Sequence, residues 1–195
     1  MKIKKFRHGK GVGRAKMGKQ KTVFKGKIFT VKQAKAFYPS GTVKTFEFFY
    51  RNPGVAVFAF DDKGRLMLTR EFREKQQKFY WLVPAGRSEK GEMPQKAAQR
   101  EMREEIGYRA KKMKLFMKND VMHFDSSRGY LFVASGLVYD PLPKDEGEEI
   151  KAVPTPLSKA YKMALDGKIG TDLMSLGIIR LYYKVQKYGL KKIAG

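Results

Sequence analysis

The chain has 195 residues, of which 42% are apolar and 31% charged, enough for one globular domain with a core of its own. It contains no cysteine, which excludes a disulfide framework, a zinc-thiolate site, an iron-sulfur cluster and a cysteine nucleophile. No window approaches the roughly 18 consecutive apolar residues of a membrane-spanning helix, and the N-terminus lacks the apolar core of a secretory signal; a soluble, cytoplasmic protein with no membrane contact is expected.

Forty-two Lys and Arg oppose 19 Asp and Glu, a formal charge of +23 that draws the chain towards polyanions. The charge is unevenly spread: the first 46 residues carry 14 Lys or Arg and no acid before Glu47. Residues 1–21 combine Lys and Gly with few large apolar side chains, too little to offset the entropy of ordering, and are expected to form a basic, flexible arm.

From Thr22 the pattern turns strand-like. TVFKGKIFTV and, after the turn signal Pro39-Ser40-Gly41, VKTFEFFYR form an expected N-terminal β segment over 22–53. A hairpin follows, in which GVAVFAF and RLMLTREF flank Asp61-Asp62-Lys63-Gly64. FYWLVPAG is the next strand. The spacing then predicts a helix from Pro94 to Ile106, with proline suited to its first turn and Gly107 to its stop. MKLFM and YLFVASGLV read as strands around a polar loop from Lys118 to Gly129. Asp140 to Glu149 reads as an acidic loop before a short strand, IKAVP. Two helices close the chain, Ser158 to Leu165 and Asp172 to Tyr188. Strands interrupted by helices predict an α/β layered domain over 54–195.

The chemistry concentrates between Gly86 and Gly107. On a helix, Glu101, Glu104 and Glu105 stand at i, i+3 and i+4, on or beside one face, while Ala98, Met102 and Ile106 give an apolar face four residues apart. Clustered carboxylates repel one another, and hard oxygen donors of this kind suit Mg²⁺ or Mn²⁺, ions that also take substrate phosphates. A solvated acidic helix face is the other meaning of the same spacing.

The segment resembles the Nudix box, G-x5-E-x7-R-E-U-x-E-E-x-G-U with U a bulky apolar residue. Gly86, Glu92, Arg100, Glu101, Glu104, Glu105 and Gly107 fill the fixed positions and Met102 the first U; the last is Tyr108, aromatic where an aliphatic residue is usual. The resemblance implies a Nudix fold, a mixed β-sheet sandwiched between helices, and hydrolysis of a nucleoside diphosphate linked to another group. It implies Glu101, Glu104 and Glu105 as metal ligands, with the Ala85 carbonyl a further one. Arg100 would orient the glutamates, and Glu92 would serve as an acid either linked to the metal or supporting its ligands.

Beyond the box, most of residues 22–188 looks most like the ADP-ribose pyrophosphatase branch. Asn52-Pro-Gly-Val, Leu68-Thr-Arg-Glu-Phe-Arg73, Trp81-Leu-Val-Pro-Ala-Gly86 and Asp145-Glu-Gly-Glu-Glu-Ile150 carry that likeness. In this branch the N-terminal strands pair with a second subunit, so a homodimer is implied. Arg51 and Arg73 correspond to its substrate contacts, and Glu146 or Glu148 to its catalytic loop glutamate. The loop after the box departs from the branch, reading His123-Phe-Asp125-Ser-Ser-Arg128-Gly129; there Asp125 or His123 would touch substrate. The implied reaction converts ADP-ribose to AMP and ribose 5-phosphate. Two alternatives use the basic arm to hold nucleic acid: hydrolysis at an RNA 5′ end, and a non-catalytic RNA-binding module, against which the intact box argues.

Overall fold

The computed structural model describes residues 14–120, 128–144, 147 and 149–195. By their contacts these form two units, 14–51 and 52–120 with 128–195.

The first unit is a four-stranded antiparallel sheet of β1 (Lys16–Met17), β2 (Lys21–Lys25), β3 (Phe29–Phe37) and β4 (Val43–Arg51). β3 is central: β4 runs along one edge from Phe29 opposite Arg51 to Phe37 opposite Val43, while β1 and β2 share the other. Pairing begins at Lys16, inside the stretch expected as an arm. TVFKGKIFTV is not one strand but the parts of two, because the chain reverses at Gly26, whose N–H donates to the Phe29 carbonyl at 2.9 Å. Directly paired residues share a face, which puts Phe24, Val31 and Phe49 together. Phe29 joins them, its ring 5.5 Å from that of Phe24 and 4.8 Å from that of Phe49. Phe24 and Val43 remain about half exposed.

The second unit is built on β5 (Gly54–Ala59), β6 (Leu66–Arg73), β7 (Lys78–Leu82), β8 (Ala85–Arg87), β9 (Tyr108–Asp120), β10 (Arg128–Tyr139) and β11 (Ile150–Thr155). One mixed sheet has the order β8-β5-β10-β9, with β5 and β10 parallel; an antiparallel sheet has the order β11-β6-β7. Successive side chains of a strand face opposite ways, and β5 shows what that achieves. Val55, Val57 and Ala59 pack with Ala97, Ala98, Met102 and Ile106 beneath α1 (Pro94–Glu105). Ala56 and Phe58 turn the other way, into a core shared with Ala160, Met174, Ile178 and Leu181. Those residues belong to α2 (Leu157–Leu165) and α3 (Asp172–Tyr188), followed by α4 (Leu190–Ala194). Helices therefore cover both faces of a mixed sheet, the α/β sandwich expected from the sequence. No helix among the described residues is long and apolar enough to cross a membrane.

The expected hairpin at Asp61–Gly64 is present, closed by the Asp61 carboxylate accepting from the Lys63 and Arg65 N–H groups at 3.0 and 2.7 Å. β9 is longer than MKLFM and α4 was not anticipated.

Candidate active site

α1 starts at Pro94, ends where Gly107 adopts φ 78°, and lays its apolar stripe on the sheet. Only glycine takes that φ cheaply. The same rotation turns Arg100, Glu101, Glu104 and Glu105 towards the loop between β8 and the helix. Gln95 and Gln99, one turn apart, fix the helix sideways: Gln99 exchanges two hydrogen bonds with the backbone of Ala110, at 2.8 and 2.9 Å, and Gln95 reaches the Met113 carbonyl at 3.3 Å. The sequence marked neither glutamine. Two amides at i, i+4 beside an edge strand are the signal that could have found them.

Arg100 is the hub. Its guanidinium donates to the Glu104 carboxylate at 2.8 Å, to both oxygens of Glu92 at 3.2 Å and to the Arg87 carbonyl at 2.9 Å, and pairs with Glu101 at 2.9 Å. The carboxylate repulsion read from the helix spacing is thus relieved for Glu101 and Glu104 by an arginine one residue before the first of them. Burial acts against the charged guanidinium, yet the Glu92 hydrogen bond and the three nearby carboxylates together hold its proton more firmly than usual. Burial likewise pushes the Glu92 carboxyl up, but the bond from Arg100, the Glu89 N–H at 2.8 Å and the arginine's charge outweigh it, and the carboxyl lies below its ordinary range.

Glu105 is the most enclosed of the three glutamates on α1, 6% exposed, and accepts the Ala85 N–H at 3.1 Å. Its neighbour Gly86 faces Glu101: a Cβ at position 86 would stand 2.1 Å from the Glu101 carboxyl carbon, so only glycine fits. β8 is placed for this by pairing with β5, Gly86 opposite Val55 and Ala85 opposite Ala56. Ser88, one residue beyond β8, is buried, and its hydroxyl is without a partner among the described residues.

The structure thus brings together Ala85, Gly86, Glu92, Arg100, Glu101, Glu104 and Glu105. Arg73 lies at the end of β6, on the strand face that alternation shares with Met67, which packs beneath α1. Beside it is a residue the sequence did not single out. Glu71, 3% exposed, accepts the Thr69 hydroxyl at 2.6 Å and is ion-paired to Arg73; desolvation lifts its carboxyl above the ordinary range against the pull of both partners. Arg51 ends β4 in the first unit, its guanidinium 5.9 Å from the Phe49 ring. Asp125, His123, Glu146 and Glu148 lie outside the described residues.

A cavity on the outer flank of α1, lined by Met93, Gln95, Lys96, Gln99, Arg100, Arg103 and Leu142, holds none of the box glutamates and offers no carboxylate to a metal. Among the described residues, no three His, Asp or Glu side chains converge closely enough to cage a metal unaided. The donor set at the β8–α1 loop still suits Mg²⁺, which is commonly held by one or two carboxylates and completes its shell with water and substrate phosphates.

A family model described as the NUDIX domain matches residues 50–170, more than half of the chain and all of the glutamate-bearing helix. The chain belongs to the Nudix family. It is 30% identical over 149 residues to an ADP-ribose pyrophosphatase of Bacillus subtilis strain 168, covering 72% of this chain and 78% of that one. An ADP-ribose pyrophosphatase of Mycobacterium tuberculosis strain ATCC 25618 / H37Rv is 27% identical over 165 residues, 83% of this chain and 80% of the relative. Among solved structures, an ADP compounds hydrolase superposes with a TM-score of 0.77 at 22% identity, over 92% of this chain and 98% of that one, which establishes the fold. The protein is accordingly a Nudix pyrophosphohydrolase, of a family that in general depends on divalent metal.

Proposed function

We propose that this Nudix hydrolase converts ADP-ribose to AMP and ribose 5-phosphate with Mg²⁺ or Mn²⁺ bound at the box helix. The observation that carries the reading is the packing of Glu101 on Gly86 with Arg100 bridging Glu92, Glu101 and Glu104, which presents carboxylate oxygens at one rim of the β8–α1 loop. Likeness to two ADP-ribose pyrophosphatases across about three-quarters of the chain supports the choice of substrate.

In this reading Glu101, Glu104, Glu105 and the Ala85 carbonyl, with Glu92 alongside, would supply the protein's donors to the metal, its remaining positions being filled by water and substrate phosphates. The ion, when bound, neutralises diphosphate charge and polarises the phosphoryl group. Arg100 keeps Glu92, Glu101 and Glu104 aimed. Arg73 and Arg51 are substrate contacts for the phosphates and the adenine, and Asp125 is a further substrate contact. Water adds to one phosphorus, the bridging P–O bond breaks, and the bridging oxygen leaves on the other phosphate. A glutamate of the acidic loop, Glu146 or Glu148, takes the proton from that water, as a positioned base does in phosphoryl transfer. The N-terminal sheet supports a homodimer, because Phe24, Phe29, Phe37 and Val43 leave an apolar face open to a second copy.

The test is a hydrolysis panel with Mg²⁺: ADP-ribose, other nucleotide sugars, dinucleotides and a 5′-triphosphate RNA, with products identified by mass. AMP and ribose 5-phosphate from ADP-ribose at the highest kcat/KM supports the proposal. Preferential release of pyrophosphate from the RNA moves the function to RNA 5′ ends, the reading that the basic N-terminus favours.

A further inference from the structure

The charge of the chain is not confined to its N-terminus. From Leu173 to Gly195 there is no acidic side chain, while Arg180, Lys184, Lys187, Lys191 and Lys192 supply five cations; from Ile106 to Asn119 there is again no acid and a run of Lys and Arg. These two runs meet in space. Arg180 of α3 lies against Met117 of β9 at 3.0 Å, the Lys184 ammonium sits 4.9 Å over the Phe116 ring of the same strand, and Lys114 of β9 donates to the Gly195 carbonyl just beyond α4. Lys187 and Lys192 flank the Tyr188 ring at 5.2 and 5.3 Å. Among the described residues Arg180, Lys184, Lys187 and Lys192 have no side-chain carboxylate partner. Their cationic heads rest on apolar and aromatic surface rather than on acids, so the positive charge of this face is not neutralised by carboxylates.

Beside the cations stands an aromatic surface. Arg180, Lys184 and Lys187 run along one side of α3, and Tyr183, one turn before Lys187, is 60% exposed. The Tyr183 hydroxyl is 3.1 Å from that of Tyr161, whose ring stacks on Tyr182 at 4.1 Å, so the exposed ring is braced from beneath. A like-charged stripe adjoining a rigid exposed aromatic ring matches a ligand that combines a phosphate backbone with stackable bases. An anionic lipid surface would use the cations but has no need of a braced ring, and an acidic peptide does not repeat its charge beside a flat face.

We infer that the α3–α4–β9 face of the hydrolase unit is a docking surface for single-stranded nucleic acid, separate from the glutamate-bearing helix on the opposite face of the sheet. Phosphates lie along Arg180, Lys184 and Lys187, and a base stacks on Tyr183.

The full-length chain is titrated into a fluorescent single-stranded RNA of about 15 nucleotides, long enough to span one such site, and anisotropy is followed from about 50 to 300 mM salt beside a triple variant, Arg180→Gln/Lys184→Gln/Lys187→Gln, and Tyr183→Ser. Circular dichroism and the hydrolytic rate report folding, since none of the four residues touches the box helix. Loss of three phosphate contacts reduces the slope of log K against log salt by about 2 and weakens binding at least tenfold at low salt. Tyr183→Ser weakens binding about fivefold or more with the slope unchanged. Wild-type affinity and slope in both folded variants overturn the proposal and assign RNA binding to the N-terminal residues. It is equally overturned if the wild-type chain ignores the RNA while binding vesicles rich in anionic lipid.

Discussion

Gly86 and Glu101 are in such close apposition that a single methyl group at position 86 would occupy the space of the glutamate's carboxylate. β8 and α1 are therefore registered against each other by the absence of a side chain, and the position of one oxygen donor is set by a residue without chemistry of its own. Gly86→Ala should displace Glu101 and reduce kcat about a hundredfold, the usual consequence of moving a positioned group by about 1 Å. Steady-state kinetics with melting temperatures measured in parallel check this; undiminished kcat in a folded variant would free Glu101 from the mechanism.

Arg100 offers planar, forked donors to three carboxylates and one carbonyl, a geometry that the single ammonium of lysine does not reproduce. Arg100→Lys keeps the charge and should still cost about 1–3 kcal/mol of stability together with most of the activity. Chemical denaturation and kinetics on the same preparation read both.

Glu92 predicts a dependence on pH. Its carboxyl is held below the ordinary value of 4.5 in the folded state, so it stabilises the fold above that pH, and the contribution disappears as pH falls through the folded-state value. The melting temperatures of wild type and Glu92→Gln should differ at neutral pH and converge as pH falls below 4.5. A gap that stays constant with pH would contradict the ion pairing assigned to Glu92.

Ser88 makes the opposite prediction. A buried hydroxyl with no partner among the described residues gives up no hydrogen bond when removed, so Ser88→Ala should be within about 1 kcal/mol of wild type or more stable. Urea denaturation decides; a larger loss would reveal a partner for the hydroxyl.

The apolar face of the N-terminal sheet predicts a dimer in solution by light scattering. Phe24→Glu with Val43→Glu places charge on that face and should yield monomers. A wild-type monomer would leave the face unexplained.

Much of this arrangement was legible in the sequence where local signals agreed. Pro94, the four-residue spacing of Ala98, Met102 and Ile106, and Gly107 all mark one helix, and α3 occupies the stretch its apolar period delimits. The hairpin at Gly26 was hidden because the residues on either side are equally strand-like. β9 looked shorter than it is because Lys111, Lys112 and Lys114 interrupt its apolar pattern, as lysines do on a sheet edge exposed to solvent. α4 is a single turn after a glycine, too short for periodicity to register. At the site, the spacing indicated which carboxylates lie together but not how Arg100 shares itself among them, nor the Glu71–Arg73 pair, whose closeness comes from strand alternation and a burial that propensity does not encode.

The most direct test of the account is the turnover of ADP-ribose by the wild-type chain and Glu105→Gln across a Mg²⁺ titration. Glu105 is enclosed and accepts a hydrogen bond from Ala85, so the amide substitution preserves shape while removing charge. The account predicts Mg²⁺-dependent release of AMP by the wild type, and kcat at least about a hundredfold lower in the variant at saturating metal. Equal turnover by the two proteins, or turnover indifferent to Mg²⁺, would contradict the assignment of the box helix as the hydrolytic centre.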